Sequence, residues 1–319
     1  MEKTVLCVMP VKSRHKEKLE AAGRGCRFLY ESYGSVTEEQ VAQADVILGN
    51  VPARLIHASP RLKVLQLNSA GADDYIRPGV LDPGTVLLNA TGAYSKAVAE
   101  HALAMTLALQ KKLHLYRDDR QTGSWTDYGT VTSIADAVVL VIGLGDIGRH
   151  YASMAKALGA YTIGVTRRPA KKLPFMDEQC LTEQVNELLP RADVVVSFLP
   201  GSGQTYHFYD EARFALMKEG AFFLNLGRGG AADPDALMEA IRSGRLAGAG
   251  IDVTEPEPLP ADSPLWKEER LFITPHVAGS FHLPETFERI VNIAAENLAA
   301  WLEGRQLRNV VDFATGYKR

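Results

Sequence analysis

The sequence predicts an α/β protein with two doubly wound parallel-sheet domains. Short β-branched runs alternate with helical patterns, which is the signature of parallel strands covered on both faces. The same rhythm begins again after a polar stretch at Arg120–Thr130. A length of 319 residues is also enough for two domains at about 150 residues each. Hydrophobic residues make up 46% and charged residues 23%, so disordered, collagen-like and coiled-coil readings are excluded.

In order along the chain, strands are expected at Val5–Met9, Arg27–Glu31, Val46–Gly49, Val64–Asn68 and Val86–Asn89. Helices are expected at 13–22 and Thr37–Ala44. A single long helix is predicted over Ser95–Asp118, because Val98, Ala102, Met105, Leu109, Leu113 and Tyr116 recur every three or four residues. The second series has strands at Val138–Ile142, Tyr161–Val165, Val194–Phe198, Ala221–Leu226, Ala247–Ile251 and Leu271–Thr274. Helices are placed up to Leu158, around 181–189, near 210–218 and from Pro234. That last helix has clear end signals, with Asp233 to cap it, Pro234 at its first position and Gly244 to end it. A final amphipathic helix over Pro284–Glu303 is expected to return the chain to the first domain.

Charge and cysteine content narrow the partners. Thirty-five Lys and Arg against 38 Asp and Glu give a net charge of −3, which offers no field for a polyanion, so nucleic acid is not expected as a partner. Cys7, Cys26 and Cys180 form no CxxC pair, and a reducing, cytoplasmic setting is expected. Thr4–Met9 is too short for a signal-peptide core. The longest apolar stretches, Ala102–Leu109 and Ala137–Leu144, fall short of the roughly 20 residues a bilayer crossing needs, so no membrane association is expected. No HExxH motif or cysteine cluster points to a metal.

Val138–Ile142 runs into Gly143-Leu-Gly145-Asp-Ile-Gly148 and then a helix, the setting in which GxGxxG binds a dinucleotide. Gly143 makes the tight turn, Gly145 lets a pyrophosphate approach the backbone, and Gly148 lets helix and strand pack closely. The amides around Asp146 and Ile147 then face the phosphates. An NAD site usually has an acidic residue about 20 positions further on. Here the second strand ends in Thr166-Arg167-Arg168, with no acid between 161 and 170. Two guanidinium groups suit a 2′-phosphate, so NADP is the preferred cofactor and NAD the other option. The competing reading of Arg167, Arg168, Lys171 and Lys172 is a solvated basic turn.

Polar residues at the carboxyl ends of strands carry the chemistry of doubly wound proteins. Three candidates stand there: Arg228 in Asn-Leu-Gly-Arg, Glu257 in Asp-Val-Thr-Glu-Pro-Glu-Pro, and His276 in Thr-Pro-His. With these residues the chain resembles the D-isomer-specific 2-hydroxyacid dehydrogenases, of the glyoxylate/hydroxypyruvate reductase type, over essentially its whole length. The resemblance implies that Arg228, Glu257 and His276 are the catalytic set. It also implies cofactor contacts at Val98, Leu199, Pro200, Thr205, Leu226, Gly227 and Asp252. A carboxylate-binding loop is implied at Asn68–Asp73, with the amides of Ala70 and Gly71 on the substrate, and so is a dimer arm at Gly123-Ser-Trp125. Two segments depart from the family pattern: Ile134-Ala-Asp-Ala137 replaces Leu-x-Gly-Lys, and Thr166 replaces the ribose-binding acid.

Roles for the three residues follow from the chemistry. Reduction of a 2-oxo acid adds a hydride to the carbonyl carbon and a proton to its oxygen; the cofactor supplies the first, and the protein orients, polarises and protonates. Arg228 can fork onto the carboxylate and carbonyl oxygen. His276 is the proton donor, and a carboxylate close by, Glu257, favours its charged form. His282 is the rival histidine, whereas His101, His114 and His150 read as packing or surface residues. The expected domains are 1–95 plus 284–319 for substrate, flavodoxin-like, and an inserted Rossmann cofactor domain at 96–283. The expected activity is NADP(H)-dependent reduction of a small 2-oxo acid to its D-2-hydroxy acid by a homodimer. The alternative on the same fold is a nucleotide-sensing binding protein of the corepressor type.

Overall fold

The computed structural model describes residues 2–313. The chain divides into two compact units, Met1–Tyr94 with Leu283–Arg319, and Ser95–His282.

The first unit contains β1 (Lys3–Cys7), α1 (Ser13–Ala22), β2 (Cys26–Tyr30), α2 (Glu38–Ala42), β3 (Val46–Leu48), β4 (Val64–Gln66) and β5 (Val86–Leu88). Its strands are all parallel, in the order β2-β1-β3-β4-β5, which is the flavodoxin-like arrangement. The strands are short and almost wholly apolar because both faces of the sheet are covered. Successive residues of β1 show this. Val5 and Cys7 pack with Leu19 and with Ile290, Val291, Ala294 and Leu298 of the C-terminal helix Pro284–Leu302. Leu6 packs on the opposite face with Val41, Ile47, Ile56 and Leu65.

The second unit contains α3 (Ser95–Gln110), α4 (Leu113–Thr122), β6 (Val138–Ile142), α5 (Asp146–Ala157), β7 (Tyr161–Thr166), β8 (Glu178–Leu181), α6 (Val185–Leu188) and β9 (Val194–Ser197). It continues with α7 (Glu211–Leu216), β10 (Ala221–Asn225), α8 (Pro234–Arg242), β11 (Leu246–Ile251) and β12 (Leu271–Ile273). The seven parallel strands run β12-β11-β10-β9-β6-β7-β8. The winding reverses between β6 and β9, whose adjacent carboxyl ends form the topological switch point. Asp233 caps α8 by accepting from the amides of Asp235 and Ala236, and Gly244 follows the helix at φ +80°. Ile134–Asp136, where the sequence departs from the family pattern, forms a single 3-10 turn capped by Ser133. Among the described residues no helix is long and apolar enough to cross a membrane.

Two elements differ from the sequence expectation. The predicted single helix over Ser95–Asp118 is two helices, broken at Lys112, which adopts φ +56°. The break is held by the segment that follows α4: Lys111 Nζ donates to the Thr132 carbonyl at 2.7 Å, Thr132 N to the Gln110 carbonyl at 3.2 Å, and Lys112 Nζ to the Tyr128 carbonyl. The apolar repeat runs straight through the break, so periodicity is blind to it. Its meaning changes, however, because Val98, Ala102, Met105 and Leu109 are buried while Leu113 and Tyr116 are exposed. The second difference is β8, an edge strand that was not expected; the helix expected around 181–189 follows it as α6 flanked by two 3-10 turns, Thr182–Gln184 and Leu189–Arg191. Glu178-Gln-Cys-Leu has no β-branched residue to mark it. Its pairing with β7 is anchored by Asp177, which accepts from Lys156 Nζ at 2.7 Å and from Thr162 N at 2.8 Å. The Lys156 ammonium and these hydrogen bonds hold the Asp177 carboxyl below the usual range.

Candidate active site

The three glycines after β6 have separate tasks. Gly143 sits at φ +94°, and a Cβ there would lie 2.9 Å from the Phe198 backbone at the end of β9. A Cβ at Gly148 would come within 2.4 Å of the Gly143 carbonyl oxygen. Both are needed for the chain to pack on itself. A Cβ at Gly145, the N-cap of α5, would meet nothing within 4 Å. That residue receives no side-chain cap, so the positive end of α5 opens onto space rather than onto protein. Asp146 begins the helix with one carboxylate oxygen buried and without a protein partner. Ile147 is half-buried beside it.

At the end of β7, the hydroxyl of Thr166 donates to the Arg168 carbonyl at 2.9 Å and so shapes the turn that presents two exposed arginines, Arg167 and Arg168. Lys172, further along, donates to the Asp177 carbonyl at 3.1 Å. After β9, Leu199 is buried and Thr205 folds the loop by donating to the Pro200 carbonyl at 2.6 Å and accepting from Ser202 N at 3.0 Å. Leu226 is buried, and a Cβ at Gly227 would lie 2.2 Å from the Leu199 carbonyl oxygen. Glycine at 227 therefore brings the backbone after β10 against the backbone after β9. Val98 is buried on α3.

Arg228, Glu257 and His276 follow β10, β11 and β12, three strands adjacent in the sheet. Asn225 brackets the first loop, accepting from Gly227 N at 3.1 Å and donating to the Arg228 carbonyl at 2.8 Å. Arg228 Nη1 donates to the Gly227 carbonyl at 2.8 Å. The second and third loops meet directly, with His276 Nδ1 2.6 Å from Glu257 Oε1. A carboxylate only accepts, so Nδ1 carries the hydrogen and Nε2 is the ring nitrogen left for other partners. His276 has φ +52°, a conformation uncommon outside glycine. Buried Asp252 holds it there: its backbone carbonyl accepts from His276 N at 2.7 Å, and its carboxylate from Val277 N at 2.9 Å, Ala278 N at 3.1 Å and the Thr274 hydroxyl at 2.6 Å. Asp252, expected as a cofactor contact, thus directs both carboxylate oxygens at the His276 loop.

The sequence reading passed over two members of this constellation. His101, placed among packing or surface residues, contacts the Thr274 hydroxyl through Nε2 at 3.1 Å and extends the network Thr274–Asp252–His276 onto α3. Its place on α3, three residues after Val98, is the one signal that could have found it. Asn225 was visible only as the first residue of its motif. The rival His282 is exposed. Among the described residues no group of three or more His, Cys, Asp or Glu is placed to hold a metal ion.

Ala70 and Gly71 belong to the first unit. Their carbonyls are held from inside it, Ala70 by Asn89 Nδ2 at 2.8 Å and Gly71 by the Ser69 hydroxyl at 2.7 Å. Asn68, at the start of the loop, exchanges backbone-to-side-chain hydrogen bonds with Asn50 at 2.6 and 3.1 Å.

A parallel sheet whose switch point presents a helix N-terminus with glycine at its N-cap, with a carboxylate-paired imidazole on adjacent strand ends, suits a dinucleotide-binding oxidoreductase. Residues 103–278 match the NAD-binding domain of the D-isomer specific 2-hydroxyacid dehydrogenases. Glyoxylate/hydroxypyruvate reductase B of Klebsiella pneumoniae is 30% identical over 86% of this chain and 86% of its own length. A D-isomer specific 2-hydroxyacid dehydrogenase family protein from Aeromonas salmonicida superposes with a TM-score of 0.86 at 29% identity, over 98% of this chain and 100% of that one. A D-isomer specific 2-hydroxyacid dehydrogenase from Xanthobacter autotrophicus, solved with NADPH and MES, gives 0.84 at 27% identity, over 99% of this chain and 100% of that one. The chain belongs to the D-isomer specific 2-hydroxyacid dehydrogenase family and is an oxidoreductase of that class.

Proposed function

We propose that this enzyme reduces a small 2-oxo acid of the glyoxylate or hydroxypyruvate type to the D-2-hydroxy acid, with NADPH preferred over NADH. The observation that carries the reading is the 2.6 Å pairing of His276 Nδ1 with Glu257, which leaves Nε2 as the nitrogen that can exchange a proton with substrate. Bound NADPH supplies the hydride that goes to the carbonyl carbon. His276 gives its Nε2 proton to the carbonyl oxygen as negative charge develops there, and Glu257 supports the imidazolium before transfer. Arg228 holds the carboxylate and polarises the carbonyl through its planar fork. The amides of Ala70 and Gly71 take the remaining carboxylate oxygen.

The residues present suit the phosphates of the cofactor. The open space at Gly145 and the free amides of the first turn of α5 would take the pyrophosphate, and Arg167 with Arg168 would take the 2′-phosphate. The Klebsiella relative, named a glyoxylate/hydroxypyruvate reductase, and the Xanthobacter structure solved with NADPH support the substrate class and cofactor. A homodimer would cover apolar side chains that this chain leaves exposed on α4 and the segment after it, Leu113, Tyr116, Trp125 and Val131.

The test follows nicotinamide absorbance with NADPH and with NADH across a panel of 2-oxo acids, with the mass of the assembly read by light scattering. Turnover of glyoxylate or hydroxypyruvate with a higher kcat/KM for NADPH is expected. Turnover confined to larger 2-oxo acids, or equal use of NADH, would overturn the substrate or cofactor assignment respectively.

A further inference from the structure

We infer that His207 is a positioning residue for the proposed reaction, a cationic clasp joining the loop that carries Arg228 to the loop that carries Glu257. The inference rests on the functional reading above. It starts from a residue outside every recognised motif. The segment after β9 runs alongside the segment after β10, with His207 N donating to the Gly230 carbonyl at 2.7 Å and Tyr209 N to the Ala231 carbonyl at 2.9 Å. His207 adopts φ +45°, a conformation that a non-glycine residue keeps only when its surroundings require it.

Both ring nitrogens face carboxylates. Nδ1 lies 3.3 Å from Asp233 Oδ2, and Nε2 lies 3.2 Å from Glu255 Oε2. Asp233 stands five residues after Arg228 and uses its other oxygen to cap α8, so Oδ2 remains for His207. Glu255 stands two residues before Glu257. Nε2 is hydrogen-bonded to Glu255 while Nδ1 lies at ion-pair distance from Asp233, so a positive charge on the ring is attracted to both carboxylates at once. The ring stacks on Tyr206, with centroids 4.1 Å apart and planes 13° from parallel. The groups facing His207 are thus the Asp233 carboxylate from the α8 side, the Glu255 carboxylate from the β11 side, and the phenol of its own neighbour Tyr206, which the Glu255 charge pushes above its usual range.

The two loops already approach closely, since a Cβ at Gly229 would lie 1.9 Å from the Thr254 carbonyl oxygen. Backbone contact sets their distance; the clasp sets the lateral register of Glu255, and through it Glu257. Catalytic groups misplaced by about 1 Å lose on the order of 100-fold in rate, so a loosened clasp shows in kcat rather than in cofactor affinity.

The test compares wild type with His207→Gln, which retains one donor, and Glu255→Gln, which removes one acceptor charge. Each variant should lose about 10- to 100-fold in kcat for 2-oxo acid reduction and keep the wild-type Kd for NADPH. In both variants the loss should fall on kcat, with KM for the 2-oxo acid near the wild-type value. Hydrogen exchange at 228–231 and 254–258 should be faster in both variants. Variants with wild-type kcat and wild-type exchange would overturn the clasp. A wild-type enzyme that reduces no 2-oxo acid would overturn the functional reading instead; exchange would then decide the clasp alone, faster exchange supporting it and unchanged exchange rejecting it.

Discussion

The first strand of each unit, β1 and β6, runs into a turn and a helix, and the two turns finish in opposite ways. After β1 the chain runs Val8-Met9-Pro10-Val11-Lys12, and α1 is closed by its own side chains. His15 Nδ1 accepts from Lys12 N at 3.1 Å, and His15 Nε2 pairs with Glu288 of the C-terminal helix at 3.0 Å. After β6 the turn is Gly-Leu-Gly-Asp, and no side-chain cap hydrogen bond is made at Gly145, the N-cap of α5. The same topology therefore makes a sealed helix end in one unit and an open one in the other. What separates them is the removal of Cβ atoms at three positions, only one of which, Gly145, leaves empty space. An open helix N-terminus is a local choice of residue made on a fold that does not require it.

If the chemistry lies on the loops of the second unit, the largest effect comes from His276→Ala. It should lower kcat by about 10²- to 10⁴-fold, the range for a lost general acid, with NADPH affinity retained in a fluorescence titration. Next is the double substitution Arg167→Ala, Arg168→Ala. Charge-assisted hydrogen bonds contribute about 1.5 to 3 kcal/mol each, so NADPH should bind at least about tenfold more weakly while NADH binding changes little. Equal loss for both cofactors would return these arginines to a solvated turn.

The glycines separate packing from binding more finely. Gly145→Ala adds a methyl where there is room; melting temperature should hold while cofactor affinity falls. Gly148→Ala forces a Cβ onto the Gly143 carbonyl, and overpacking of this kind costs about 1 to 3 kcal/mol, so the fold itself should weaken in a urea titration. The smallest effect tests the sealed end. Glu288→Gln removes the partner of His15 and Arg14 on a largely exposed surface, where such pairs contribute about 0 to 1 kcal/mol. The His15 and Arg14 hydrogen bonds hold the Glu288 carboxyl below its ordinary value of 4.5. Its contribution is therefore present above that value and lost as pH falls through the depressed one. The gap in thermal stability between wild type and variant should be small at neutral pH, close in acid, and leave NADPH binding untouched at any pH.

How much of the site was legible depended on whether its cause was local. Gly143, Gly145 and Gly148 were readable because a strand, a tight turn and a helix follow one another within eleven residues. The place of His276, Glu257 and Arg228 at strand ends was readable because each lies within six residues of an apolar run. Asp252 was assigned to the cofactor, since nothing in Asp-Val-Thr reveals that its oxygens turn to amides 25 and 26 residues away. His101 was set aside for the same reason, its partner Thr274 being 173 positions distant. Among the elements, the helix predicted to 118 failed at a single lysine, and β8 was missed because pairing with β7, not its own composition, makes it a strand.

By itself the sequence determined two parallel α/β sheets, a glycine turn fit for a dinucleotide, and an arginine, a glutamate and a histidine at strand ends. These follow from period, from steric permission and from residue chemistry, all of which act over a few neighbours. Tertiary structure alone decided that His276 Nδ1 meets Glu257, that Asp252 serves the His276 loop, that the long helix breaks at Lys112, and that His207 lies between two carboxylates. Each depends on atoms from distant parts of the chain arriving within about 3 Å of one another, and no local pattern encodes that distance.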